Sequence, residues 1–167
     1  MRNMMVYIVL IVITTLSDTT LVVIVPNTSN YELYKRCEYW VSTTYTSSNT
    51  IDYKSENAMI LKPSLKSYPS TLLGSSIYNG YLHYIIEIQF KDNKYKLHIS
   101  DFSYTHPIHK WKIQDICNND GDVKKMKGRT NRTQLLLWRD LISTEQSIII
   151  KSLSIIMNTS IGMDTDW

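Results

Sequence analysis

The sequence predicts a two-layer α+β domain: an antiparallel sheet with two helices packed on one of its faces. Three observations carry this. Residues 81–104 read as a β-hairpin with one apolar face, residues 29–45 as an amphipathic helix, and residues 143–157 as a second apolar helix. A sheet with one greasy face needs a cover, and two helices with apolar stripes supply it.

The hairpin is written almost residue by residue in YLHYIIEIQFKDNKYKLHISDFSY. Asp92-Asn93 forms a two-residue turn of the kind that tolerates positive φ at both positions. Phe90 then faces Tyr95, Ile88 faces Leu97 and Ile86 faces Ile99, all on one side because side chains alternate with period two. On the other side Gln89 meets Lys96 and Glu87 meets His98, acceptable cross-strand polar pairs.

The remaining elements follow in order. Leu21–Val25 is a β-branched run stopped by Pro26-Asn27, a first strand. Ser29 or Asn30 caps a helix of about four turns, with Glu32 completing a capping box after Ser29. Leu33, Tyr34, Cys37, Trp40, Val41 and Tyr45 form its apolar stripe, and the Lys35–Arg36–Glu38 side is expected in water. Ile51–Tyr53 and Ala58–Leu61 read as short strands around Ser55-Glu56-Asn57, and Pro63 and Pro69 bracket a stretch that cannot be a central strand. Strands at 77–90 and 94–104 make the hairpin, and residues 105–133 are irregular, polar and basic. Ser143-Thr144-Glu145-Gln146 is a second capping box, before Ile148, Ile149, Leu153, Ile156 and Met157. Gln134–Leu141 adds a preceding turn or a short separate helix. The apolar arc is wide, so this helix is expected to be largely buried, with Gly162 ending it and a loose tail over 161–167.

Composition bounds the function without naming it. A chain of 167 residues with 43% apolar and 20% charged content is one ordinary domain, residues 21–160, with a short extra segment. A net charge of +3 argues for no strongly charged partner, and nucleic acid is disfavoured. Five glycines and four prolines leave little room for a phosphate-cradling loop. Residues 1–20 read as a signal peptide: Arg2, then the apolar run Met4–Ile13, then Thr14-Thr15-Leu16-Ser17. That run is too short to cross a bilayer as a helix, and no transmembrane helix is expected once it is removed. The competing reading makes it a buried N-terminal element. Export places the domain in the periplasm, outside the cell or at the envelope. There Cys37 and Cys117 could pair; otherwise Cys37 is a small buried apolar residue.

These stretches together resemble an exported Bacteroidetes family of unknown function with a TBP-like fold, DUF4468. The similar segments are LVVIVPNTSNYELYKRCEYW at 21–40, AMILKP at 58–63 and YIIEIQFKDNKYKLHISDF at 84–102, about two-thirds of the chain. Tyr34 and Trp40 match the helical Tyr and Trp of the family pattern. Lys91–Tyr95 match its hairpin turn and Ile99–Asp101 its strand end. Ala58 stands where the family often has glycine, and the basic loop after Tyr104 has no counterpart. The resemblance implies an exported TBP-like α+β domain and supplies no activity; a topological label licenses no claim of DNA binding.

Candidate chemistry is sparse. His106-Pro-Ile-His109, with Asp101 and Cys117, is too loose a set for a tetrahedral zinc site, and solvated loop histidines are the plainer reading. Asn118-Asn119-Asp120-Gly121-Asp122 resembles a calcium loop, but with Gly121 at the sixth position the ends are Ile116 and Lys127, which lack oxygen ligands. Lys110, Trp111, Lys124, Lys125, Lys127 and Arg129 make the one speculative ligand-binding set, suited to anionic surfaces. No nucleophile-elbow, zincin or phosphate-loop motif is present, so no catalytic residue, metal or cofactor is expected. The leading expectation is a non-enzymatic envelope domain that binds a protein or small ligand. The alternatives are a hydrolase built on His106, His109 and Asp101, and an anionic-surface or nucleic-acid binder using the 110–132 loop.

Overall fold

The computed structural model describes residues 13–14, 18–45, 50–67, 80–105, 110–111 and 129–159. In chain order these form β1 (Ile13–Thr14), β2 (Thr19–Ile24), α1 (Asn30–Thr44), β3 (Ile51–Ser55), β4 (Ala58–Leu61), β5 (Ser64–Ser67), β6 (Gly80–Lys91), β7 (Lys94–Thr105), β8 (Lys110–Trp111) and α2 (Arg129–Asn158). Among the described residues every strand pairing is antiparallel, in the order β1-β2-β7-β6-β4-β3, with β5 also beside β6 and β8 also beside β7. The expected α+β architecture is therefore the observed one.

The β6–β7 hairpin has the expected register, Phe90 opposite Tyr95, Ile88 opposite Leu97 and Ile86 opposite Ile99. Its turn differs in one respect: only Asn93 takes a positive φ, 64°. The reason is tertiary. Asp92 Oδ1 accepts the backbone N–H of Asn30 at the start of α1 (2.9 Å), and Asn93 exchanges backbone bonds with the β2–α1 connection, donating to Thr28 O and accepting from Val25 N, both at 2.8 Å. The neighbouring turn joins in, with Asn57 O accepting from Phe90 N at 2.8 Å. Three turns thus satisfy one another's backbone at one end of the sheet.

Leu21 and Val23 of β2, Met59 and Leu61 of β4, Ile86, Ile88 and Phe90 of β6, and Tyr95, Leu97 and Ile99 of β7 face the helices and are buried. From the helices come Leu33, Tyr34, Cys37, Trp40 and Val41 of α1, and Ile142, Ile149, Leu153 and Met157 of α2. Cys37 is a free, fully buried thiol with Sγ 3.7 Å from Met59 Sδ, and Cys117 lies outside the described residues. Ser29 is the N-cap of α1 as expected, its Oγ accepting from Glu32 N at 3.2 Å.

Several expectations are corrected. β2 begins at Thr19, two residues early, because Thr19 pairs with Ile99 and is buried. Ile13 and Thr14 pair with Thr20 and Thr19 as β1. Arg36 is buried instead of solvated: its guanidinium donates to Met157 O at the last turn of α2 and bridges to Glu32. A helix C-terminus leaves carbonyls without partners, and a long cationic side chain on the neighbouring helix satisfies one of them. The expected start of α2 at Ser143 is also wrong. The helix is continuous from Arg129, and Ser143 O accepts from Ser147 Oγ (2.8 Å), so the box lies mid-helix. Nor is α2 largely buried, since Ile148 and Ile155 point outward, 53% and 57% exposed. Ile142, Ile149, Leu153 and Met157 pack into the core with Leu141, Ile150 and Ile156 beside them, and Ile148 and Ile155 lie off that stripe. The segment after Pro63 forms β5, which among the described residues pairs with β6 alone. Residues 1–12, Pro69, Gly162 and the tail lie outside the described residues.

Replacing Arg36 by alanine should cost about 2 kcal/mol, the usual loss for a buried charged hydrogen bond, read as a lower urea midpoint. Ser29→Ala should cost about 1 kcal/mol in the same measurement.

Candidate functional site

The sheet is interrupted on both sides of Tyr84 of β6, with a further break about two residues along in β3. In β3 the pairing slips between Ile51 and Tyr53, leaving Asp52 as the extra residue. β4 and β5 continue a single register on β6, Leu61 opposite Ile86 and Ser64 opposite His83, yet Lys62 and Pro63 between them make no ladder. Pro63 has no N–H to give, and Lys62 N turns instead to Thr50 O at 2.7 Å. On the far side of β6, β7 carries one extra residue between Ser100 and Ser103, and Asp101 takes φ 55° there. The left-handed conformation is one that aspartate tolerates better than most residues, and it makes a β-bulge. With the extra residue, Ile99 and Phe102 both reach the core despite being three apart.

A cavity opens on each face of the sheet at this level. On the outer face one of about 390 Å³ is lined by Lys62, Pro63, His83, Tyr84, Ile85, Asp101, Phe102 and Ser103. On the helix side a larger one, about 630 Å³, lies among Thr44, Tyr45, Thr50, Lys62, Pro63, Ser64, Leu65, Tyr84, Glu145 and Ile148. Its polar centre is built from three elements. Tyr84 reaches from β6 and donates to Glu145 Oε1 of α2 at 2.6 Å. Tyr45, the C-cap of α1, buries its hydroxyl beside that of Tyr84. Ring packing sets both phenols: Tyr84 lies 5.3 Å from Phe102, and Tyr45 stands edge-on to Trp40 at 5.5 Å. Burial, reinforced by Tyr45 and Glu145, pushes the Tyr84 phenol far above its ordinary pKa, and burial pushes Tyr45 up as well. Both shifts favour the neutral phenol. At the rim Lys62 is bridged to Asp52 at 2.9 Å.

The family profile described as "Domain of unknown function (DUF4468) with TBP-like fold" matches residues 20–105, more than half of the chain. The chain belongs to this family. The fold of this DUF4468 domain is similar to two crystal structures. One is a TBP-like protein from Parabacteroides distasonis ATCC 8503, with TM-score 0.60, 14% identity, and coverage of 85% of this chain and 96% of that one. The other is a DUF4468 family protein from Bacteroides ovatus ATCC 8483, with TM-score 0.62, 15% identity, and coverage of 92% and 94%. At such identities the likeness is one of fold. Among curated proteins no sequence matches the chain.

The residues singled out from sequence are not gathered by the described part of this DUF4468 domain. Lys110 and Trp111, expected in an irregular loop, pair as β8 with Thr105 and Tyr104. Arg129 opens α2. Lys124, Lys125, Lys127, His106 and His109 lie outside the described residues. Asp101 lies at the bulge, on the outer cavity with His83 and Ser103. Among the described residues no group of three His, Cys, Asp or Glu side chains comes together to hold a metal ion, and no helix is long and apolar enough to cross a membrane. The Tyr45–Tyr84–Glu145 centre is assembled only by the fold, although its signals are present in the sequence. Tyr84 continues the inward series Ile86, Ile88, Phe90 and so brings a hydroxyl into the core, which demands a partner. Glu145 sits between Ile142 and Ile149, beside the buried stripe of α2.

Asp101→Ala should be less stable than Asp101→Gly by about 1 kcal/mol in urea, because only glycine is free of the left-handed penalty. A second outcome concerns alkaline pH. The hydrogen bond Tyr34 donates to Glu38, with burial second, pushes its phenol up to about 12. The folded state thus holds a proton that the unfolded chain releases near 10.0, so stability should fall as pH rises from 10 to 12. Tyrosinate absorbance and unfolding should rise together there, and Tyr34→Phe should flatten the slope.

Proposed function

We propose that this DUF4468 domain is an exported, non-enzymatic binding module of the cell envelope that takes a ligand in the Tyr45–Tyr84–Glu145 cavity. The observation that carries the reading is the cavity's composition. It has the volume of a small-molecule site, apolar walls in Pro63, Leu65 and Ile148, and a few convergent polar groups at one end. Its carboxylate is engaged by a phenol that stays protonated, an arrangement suited to orienting a guest and poorly suited to proton transfer at neutral pH. Export is supported by the order Arg2, apolar run, small polar residues at the N-terminus. The buried Thr19 adds a constraint, because a cut beyond it would remove part of β2.

Fractionation of the native host with intact-mass measurement tests the location. The expected result is an envelope or periplasmic species whose N-terminus lies between Thr15 and Thr19. Full-length protein in the cytosol would overturn the export reading. Native mass spectrometry of the purified chain tests binding: a retained small ligand is expected, and Tyr45→Trp, which fills the cavity, should abolish it. Turnover of an envelope component, lost on changing one polar residue, would make the domain an enzyme instead.

A further inference from the structure

We propose that the helix-side cavity receives an alkylammonium group, an inference that rests on the binding reading above and names its ligand class. The argument is a count of protons and lone pairs. Tyr84 has one hydroxyl proton and commits it to Glu145 at 2.6 Å, so toward the cavity Tyr84 Oη offers acceptance only. A carboxylate likewise accepts and does not donate. Tyr45 Oη is buried beside the Tyr84 hydroxyl, and with its one proton turned toward Tyr84 Oη its remaining lone pairs are left to accept from a guest bearing N–H groups. Three oxygens from three separate elements thus converge as acceptors, and an ammonium group carries three donors with no acceptor.

Charge and shape agree with this count. Of the charged residues lining the cavity, Glu145 is half-buried and is held toward Tyr84. The cation, Lys62, is 53% exposed at the rim and already bridged to Asp52. An anionic guest would meet Glu145 at close range, whereas a cation gains from it and from the two phenol rings. The volume, about 630 Å³, far exceeds an ammonium group, and Leu65 and Ile148 continue the wall with apolar surface that now faces water, 37% and 53% exposed. The matching guest has a cationic nitrogen at one end and an aliphatic body behind it. A free alkylamine and a lysine side chain share that chemistry.

The test is an NMR titration of the full chain with four probes: n-butylammonium, n-butanol, butyrate and the peptide acetyl-Gly-Lys-Gly-amide. Saturable shifts of the Ile148 methyl and Tyr84 ring signals are expected with n-butylammonium, and much weaker ones with butanol and butyrate. Glu145→Gln keeps an acceptor for Tyr84 while removing the charge, and should weaken n-butylammonium binding about tenfold. Tyr45→Phe, which keeps the ring, should weaken it several-fold and decides the matter should the Glu145 variant fail to fold. Tighter binding of the peptide would identify a partner's lysine as the source, and tighter binding of n-butylammonium a free amine. Saturation by butyrate or butanol in place of n-butylammonium would overturn the ammonium assignment while leaving the cavity a binding site. Silence from all four probes would remove both.

Discussion

Everything in this domain hangs on the register of β6 against β7, and that register is held at the Asp92-Asn93 turn. The turn is clamped from outside by the first backbone N–H of α1 and by the backbone of the β2–α1 connection. A slip of one residue would turn Phe90, Ile88 and Ile86 to solvent and bring Gln89 and Glu87 into the core. The same hydrogen bonds fix where α1 begins, and so where its stripe of Leu33, Cys37 and Trp40 meets the sheet. One cluster of turns thereby positions the hairpin, the first strand and the first helix at once.

Away from that end the sheet is allowed to be irregular, and the irregularity has a pattern. Pro63, between β4 and β5, and Asp101 of β7 break the ladder on either side of Tyr84, and Asp52 of β3 breaks it about two residues further along. A regular ladder would keep flat neighbours and leave little space between sheet and helices. The interruption opens a cavity on each face, and β6 runs uninterrupted between them with Tyr84 lining both. The departure from ideal pairing is thus what gives the molecule its concave surfaces, in keeping with bulges lying beside functional sites.

Several polar groups that enter the core are tied to partners on another element. Arg36 is tied to Glu32 and to a helix-terminal carbonyl, Trp40 Nε1 to Ser152 Oγ at 3.0 Å, and Tyr84 to Glu145. Each contact joins α2 to the rest of the fold, so the helix is located by hydrogen bonds as well as by its narrow apolar stripe. Tyr45 adds a further buried hydroxyl, which lies beside Tyr84 at the wall of a cavity.

By itself the sequence determined what depends on neighbours along the chain. The alternation of 84–102 specified the hairpin's pairs and its buried face, Ser29 and Glu32 specified the start of α1, and the spacing from Leu33 to Val41 specified its buried stripe. These are short-range facts, since period and capping act within a few residues. The tertiary structure decided what depends on distant groups. Arg36 looked like a solvated helical cation until the end of α2, 121 positions away, presented a carbonyl to it. Ser143 looked like a cap, yet helical packing carried α2 through it from Arg129. Tyr84 and Glu145, 61 positions apart, became a pair only when α2 lay across the break in the sheet. A side chain's own chemistry shows that it needs a partner; only the fold chooses which one it meets, because that choice is made across space.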